Sequence, residues 1–428
     1  MRTIFYREIN DVIAFKKQLL QWSQQFREIV FLDSNDYHQK YSNYDLILAV
    51  DAFTSVETDY QNAFQDLYEY QSRTKDWLFG YLTYDLKNDI EKLSSNNFDG
   101  LTFPDLFFFQ PKKLFLLKDT TLEIQYLQMC DDEFETDFNE ILNIAQQPTT
   151  DNQQLIINQR ISKENYLNKV SRMLEHIQRG DIYEANFCME FFAENAQINP
   201  ILVYQKLNSI SQPPFAVYFR NNEHYLLSAS PERYLKKEET KIISQPIKGT
   251  AKRFVDEVLD NQSKNDLENN PKERSENIMI VDLVRNDLSH TATKGSVEVE
   301  ELCKIYTFKQ VHQMISTIVS NVEPNISPIE IIKTSFPMGS MTGAPKISAM
   351  NIIENLEETK RGLYSGSMGY FTPSGDFDFN VIIRSILYNA KANYLSFSVG
   401  SAITSKSIPE NEYEECLLKA KAMFEVLS

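Results

Sequence analysis

Three runs near the C-terminal end constrain this chain most. Residues 366–371, 377–387 and 394–399 are rich in the aromatic and β-branched residues of strands, and Thr372-Pro373-Ser374-Gly375-Asp376 separates the first two. A turn that short makes its neighbours an antiparallel hairpin. Strand-like runs also occur at 46–50, 77–82, 215–219 and 225–229. Between Tyr183 and Glu190 the residues alternate, with Glu184, Asn186, Cys188 and Glu190 on one face and Tyr183, Ala185, Phe187 and Met189 on the other. Helices are predicted from Ser162 to Gly180, with Tyr166, Val170, Met173, Leu174 and Ile177 at helical spacing, and near 272–289, 345–358 and 409–426. Strands in meander order with helices between them predict an α+β architecture rather than a parallel βαβ one.

At 428 residues the chain exceeds a typical single domain, and one large sheet-built unit with an elaborated N-terminal part fits the same length. Residues 1–150 read as a β-rich part without a catalytic pattern, open to a regulatory or partner-contacting role. Pro148-Thr149-Thr150-Asp151-Asn152 marks a linker over 146–154, and 155–428 forms the second part. With 28 Phe and 22 Tyr there is material for a large core, which argues against disorder. A net charge of −17 with no long basic run argues against nucleic acid or an anionic membrane as partner. No apolar run approaches the roughly 18 residues of a membrane span, and the N-terminus opens no signal pattern, so the chain reads as soluble and cytoplasmic. Cys130, Cys188, Cys303 and Cys416 are widely spaced and read as packed free thiols, without a zinc or nucleophile motif.

Several residues carry candidate chemistry. Lys248 is flanked by Ile247 and Gly249 just past the apolar Ile242 and Ile243. That setting desolvates an amine and keeps it partly neutral, hence nucleophilic, although a solvated strand-end lysine fits the same spacing. Glu232 precedes it by 16 residues with a strand return between them. The two read either as a general acid beside an amine or as a surface ion pair. Two predicted helices open alike: Pro271 precedes Glu273 and Glu276, and Pro409 precedes Glu412 and Glu415. Acidic first turns suit the helix dipole, and two such pairs also suit Mg²⁺. Alternation puts Arg384 with Asp378 and Asn380, fit for bidentate capture of a substrate carboxylate or of Asp378. Gly343-Ala344-Pro345-Lys346 opens a helix, as an anion site or a plain cap. His312 reads as a general base or a packed core histidine. The run 278–284 is apolar nearly all round and is expected to be buried.

Eight ordered stretches resemble the chorismate-utilising enzymes over roughly 155–425: Gly180-Asp181-Ile182-Tyr183, Ser230-Pro231-Glu232-Arg233, Pro246-Ile247-Lys248-Gly249-Thr250, 273–287, 339–346, 361–370, Ile383-Arg384-Ser385 and 412–419. The resemblance implies two large antiparallel sheets packed as a sandwich with flanking helices and a cleft between them. It implies Lys248, Glu232 and His312 as catalytic residues, and Gly249, Thr250, Tyr364, Arg384, Gly400, Ser401, Ala402 and Lys419 as substrate contacts. Glu276 and Glu415 are implied as Mg²⁺ ligands, with Glu273 and Glu412 supporting them. Within the family, lysine at position 248 is similar to the members that aminate chorismate at C4, whereas the anthranilate-forming members usually carry alanine. A separate class I glutaminase subunit is implied as ammonia donor, since the chain carries no thiol elbow.

Three departures stand out. Glu184 replaces the usual glutamine, where isochorismate-forming relatives place a water-activating lysine; a Gly-x-Gly reads Gly400-Ser401-Ala402; and Cys416 replaces a threonine. Glu184 and Ala402 also leave room for a non-catalytic chorismate-binding relative. Phe31-Leu32-Asp33-Ser34 and Gln212-Pro213-Pro214-Phe215-Ala216 are similar to tryptophan-site motifs of relatives.

Overall fold

The computed structural model describes residues 1–37, 40–144, 155–309 and 311–428. The expected linker at 146–154 lies wholly outside them. Among these residues twenty strands join into one hydrogen-bonded network, which folds over into two antiparallel layers. One layer runs from Thr121–Leu127 through Leu106–Lys118, Leu46–Thr58, Glu28–Asp33, Phe215–Asn221, His224–Ser230, Ser385–Asn389 and Tyr394–Thr404 to Glu184–Ala193. The other runs from Leu78–Leu82 through Ser367–Phe371, Phe377–Asn380, Arg233–Glu238 and Lys241–Gln245 to Val311–Asn321, which also carries Ile247–Lys252 and Glu298–Thr307. The layers join at the 13-residue strand Leu106–Lys118, whose first residues pair with Leu78–Leu82 and whose later ones pair with Thr121–Leu127.

Period-two alternation feeds two cores. Val217 and Phe219 point into a core shared by the two layers, with Ile47, Tyr81, Leu235 and Phe379. Ala216 and Tyr218 point the other way, into a core closed by helices through Leu19, Val170, Val203 and Met423. The fold is thus the expected α+β sandwich with flanking helices.

Local signals explain the helices around the cleft. Ser162 caps Lys163–Arg179 by accepting from Asn165 N–H, and Gly180, with φ 84°, ends it in the left-handed region where glycine is favoured. Asn270 accepts from the amides of Lys272 and Glu273 at the start of Pro271–Ser289, a cap that the sequence reading did not single out. Pro409–Leu427 begins with proline in its first turn.

Two expectations need correction. The strand read at 377–387 is two strands in different layers, because 381–384 leaves the ladder and crosses from one layer to the other. The apolar stretch of Pro271–Ser289 is not buried all round: Ile280, Val281, Val284 and Leu288 face the core while Ile278 is 40% exposed, since only one side of the helix meets a layer. All four cysteines are free and buried. No helix among the described residues is long and apolar enough to cross a membrane.

Candidate active site

The cleft lies where the chain changes layers. His224–Ser230 belongs to one layer and Arg233–Glu238 to the other, so Pro231 and Glu232 form a crossing; 381–384 is a second crossing beside it. At such crossings backbone groups lose ladder partners and must find others. Val381 N–H donates to Glu232 O at 3.0 Å, and Ala229 N–H donates to Arg384 O at 3.1 Å. The Ser230 hydroxyl donates to Val381 O at 2.5 Å. These bonds set Glu232 and Arg384 side by side at the seam. Arg384 has φ 51°, so it does not continue the alternation of Asp378 and Asn380. Asp378 is taken by Arg233 at 2.9 Å, and the Arg384 side chain makes no hydrogen bond or ion pair among the described residues.

Lys248 sits on Ile247–Lys252, whose register with Val311–Asn321 is irregular between Ile247 and Thr250. Gly249 makes that irregularity with φ 91°, and a Cβ there would lie 3.1 Å from Glu273 Oε2. Lys248 Nζ donates to Glu184 Oε1 at 3.2 Å, with the two side chains 11% and 3% exposed. The expectation of a partly neutral amine is reversed. Burial acts to lower the Lys248 pKa, but the carboxylates of Glu184, Glu276 and Glu232 outweigh it and hold the ammonium above the ordinary lysine range.

Glu232 is also raised, but by burial itself. Burial pushes its carboxyl up to about 7 against the opposing effects of the Ser340 hydroxyl, Lys248, the Ile247 N–H and Arg384. It is the buried acid with a raised pKa that one of the two sequence readings required. Ser340 escaped that reading, which followed the Gly339–Lys346 stretch only to its helix start; nothing in its spacing signals that the hydroxyl reaches Glu232.

The two acidic helix starts meet across the cleft, linked by Lys272 Nζ, which lies 3.8 Å from Glu276 Oε1 and 3.4 Å from Glu412 Oε1. Burial raises the Glu276 carboxyl to about 7, and its Oε1 is buried without a hydrogen bond. Glu273 is raised by burial and by Glu415. For Glu415, burial is outweighed by Lys419, 2.7 Å away, and by Lys272 and Lys248, so its carboxyl lies below its ordinary value. Glu412 accepts a short hydrogen bond from the Ser401 hydroxyl. An orphaned carboxylate oxygen facing a second helix's carboxylates fits a hard divalent cation. Among the described residues no three His, Cys, Asp or Glu side chains gather closely enough to hold one alone, so water and substrate oxygens would complete the shell, as suits Mg²⁺.

Lys419 Nζ also donates to Gly400 O at 2.9 Å. A Cβ at Gly400 would lie 2.5 Å from Asn186 Oδ1 and 2.6 Å from Cys188 Sγ, so side chains close the space above this glycine. Ala402 pairs with Asn186 across the same ladder. Tyr364 is buried with its hydroxyl 3.8 Å from Cys188 Sγ. The Arg361 guanidinium joins the walls: it binds both Glu357 oxygens at 2.9 and 2.7 Å and donates to Met341 O and Asn186 O at 2.6 and 2.7 Å. Lys346 binds both oxygens of Asp287 at 2.8 Å, which neutralises the helix start read as an anion site.

Some residues stand apart. Thr250 is exposed and pairs with Gln313. The His312 ring is buried, with Nε2 3.1 Å from Asp260 Oδ1 and Nδ1 3.0 Å from Thr307 Oγ1, and it makes no hydrogen bond to Lys248 or Glu232. The Phe31–Ser34 and Gln212–Ala216 stretches come together as Asp33 pairs with Ala216, and they line a separate pocket with Tyr44, Met368 and Tyr370.

A two-layer fold with a lysine and several carboxylates buried at its seam defines the class. The two-layer fold is shared with anthranilate synthase component I from Streptococcus pneumoniae, at TM-score 0.79 and 23% identity over 90% of this chain and 93% of that one. The menaquinone-specific isochorismate synthase MenF from Escherichia coli has TM-score 0.80 at 15% identity, over 100% of this chain and 95% of that one. The family model for chorismate binding enzymes matches residues 20–425, and the chain belongs to that family. It is 35% identical to an anthranilate synthase component I-like protein of Synechocystis over 82% of this chain and 72% of the relative. It is 39% identical to the chloroplastic aminodeoxychorismate synthase of Arabidopsis thaliana over 61% of this chain, a match spanning 28% of that protein. The chain thus covers most of one relative and under a third of the other.

Proposed function

We propose that this chain is the synthase component that aminates chorismate at C4, an aminodeoxychorismate synthase component I. The observation that carries the reading is the Lys248 amine, buried at the seam in contact with Glu184 and within the electrostatic reach of Glu232. In this reading Lys248 attacks C2 of the ring while Glu232 gives its proton to the departing C4 hydroxyl. Ammonia then adds at C4 and expels the lysine, and the enolpyruvyl ether stays attached for a separate lyase. Arg384, which makes no ion pair among the described residues, takes a substrate carboxylate bidentately, and Lys419 with the Gly400-Ser401-Ala402 backbone lines the approach. Gly249, Thr250 and Tyr364 complete the contacts, with His312 matching the family histidine near the enolpyruvyl group. Glu276 and Glu415 would hold Mg²⁺, with Glu273 and Glu412 behind them; when bound, the ion neutralises substrate carboxylate in a chain of net charge −17. The ammonia comes from a separate class I glutaminase subunit, and the protein works in the cytoplasm.

A second reading, anthranilate synthase component I, is favoured by the name of the Synechocystis relative. Incubation with chorismate, Mg²⁺ and ammonium separates the two. Formation of 4-amino-4-deoxychorismate, converted to 4-aminobenzoate only after a lyase is added, is expected. Fluorescent anthranilate without a lyase would overturn the lead.

A further inference from the structure

Glu184 is a carboxylate that the chemistry above leaves unused. It projects from the start of Glu184–Ala193, with its side chain 3% exposed. Its Oε1 accepts from Lys248 Nζ at 3.2 Å, and its Oε2 is buried without any hydrogen bond. A buried carboxylate with one bonded oxygen is an expensive arrangement. Its presence beside the one lysine on which the chemistry turns therefore points to a use for its charge.

Five carboxylates act on Lys248: Glu184, Glu232, Glu273, Glu276 and Glu415. Only Glu184 is hydrogen-bonded to its nitrogen among the described residues. Glu232 lies under the influence of the Ser340 hydroxyl and the Ile247 N–H and has its own proton to deliver. Glu415 is paired with Lys419, and Glu276 lies against Lys272. Lys248 cannot bond to carbon as an ammonium; one N–H bond must break first, and the acceptor has to be within hydrogen-bond reach.

We propose that Glu184 is the catalytic base that takes this proton. The inference rests on the amination reading given above. The Nζ–H bond breaks, its proton moves to the Glu184 carboxylate, and the freed electron pair forms the bond from Nζ to C2. The ring double bond shifts, and the C4 hydroxyl leaves as water with the proton of Glu232. When ammonia adds at C4, the C2–Nζ bond breaks and its electron pair takes the proton back from Glu184; Glu232 is reloaded from the new ammonium. No other reactant is needed.

The competing role for Glu184 is a simple charge clamp, and Glu184→Gln separates the two by sign. Loss of one carboxylate leaves Lys248 neutral more often, so its acylation by acetic anhydride, followed by peptide mass spectrometry, should quicken. A charge clamp predicts that turnover of chorismate then holds or rises. A base predicts that turnover near pH 7 falls at least about tenfold despite the more reactive amine. Glu184→Asp should restore part of the rate, and an unchanged KM for chorismate with a lower kcat marks a chemical rather than a binding defect. Unchanged or faster turnover by Glu184→Gln overturns the role of Glu184 alone. Failure of the unaltered protein to make 4-amino-4-deoxychorismate overturns the amination reading and this inference with it.

Discussion

At the scale of residues, the seam holds an acid and an amine that are both kept protonated, the acid by burial and the amine by its carboxylate neighbours against burial. Glu232 is driven toward its neutral form, with a pKa of about 7, and Lys248 is kept charged by its carboxylate neighbours. For Glu232 the folded value lies above the unfolded 4.5, so its favourable contribution is full below pH 4.5 and is lost as pH rises through 7. Glu232→Gln should therefore stabilise the protein at pH 8, by about 2–3 kcal/mol read from denaturant midpoints, while slowing turnover by about 10²–10⁴. A variant that is less stable at pH 8 than at pH 5, relative to the unaltered chain, would contradict the assignment. In the unaltered enzyme the rate should fall on the alkaline side as the Glu232 proton is lost. Lys248→Ala removes the nucleophile and should slow C4 amination by at least about a thousandfold; unchanged turnover would refute a covalent route. The sequence named both residues but could not choose between a catalytic pair and a surface pair, because the choice depends on solvent exclusion. It also expected a neutral amine, since the neighbours that hold the charge come from strands and helices far along the chain.

At the scale of elements, position is controlled by charges that no ligand needs to touch. Arg361 ties Glu357, the Glu184–Ala193 strand through Asn186 O, and Gly339–Met341 through Met341 O. Arg361→Ala leaves Glu357 buried and unpaired, and the expected loss is about 3–5 kcal/mol of stability, seen as a lower thermal midpoint. The variant should lose kcat even where it remains folded, because Ser340 and Glu184 then shift relative to Glu232 and Lys248. A variant of unchanged stability and rate would show that the clamp is idle. The elements themselves were legible: the helices starting at Lys163, Pro271 and Pro409 follow from their caps, first-turn prolines and apolar spacing. The break at 381–384 was not legible, because Val381, Ile382 and Ile383 have the composition of a strand and leave it only where the layers demand a crossing.

At the scale of the whole molecule, strands from the first 130 residues are built into both layers. Glu28–Asp33 pairs with Phe215–Asn221, and Leu78–Leu82 pairs with Ser367–Phe371. A fragment of residues 155–428 would present both partners as bare edges, and unpaired edges of apolar strands aggregate. Expression of that fragment alone should give insoluble protein, rescued by supplying residues 1–144 in the same cell; a soluble, cooperatively unfolding fragment would contradict this. By itself the sequence determined the fold class, the family and the identity of most groups at the seam. Those features rest on period, turn chemistry and ordered motifs, which are local or can be compared residue by residue. Tertiary structure alone decided that Glu184 touches Lys248, that Asp378 is taken by Arg233 while Arg384 makes no ion pair among the described residues, and that His312 is held by Asp260 and Thr307. Each depends on which side chains share a buried space, and burial sets both the cost of a charge and its available partners.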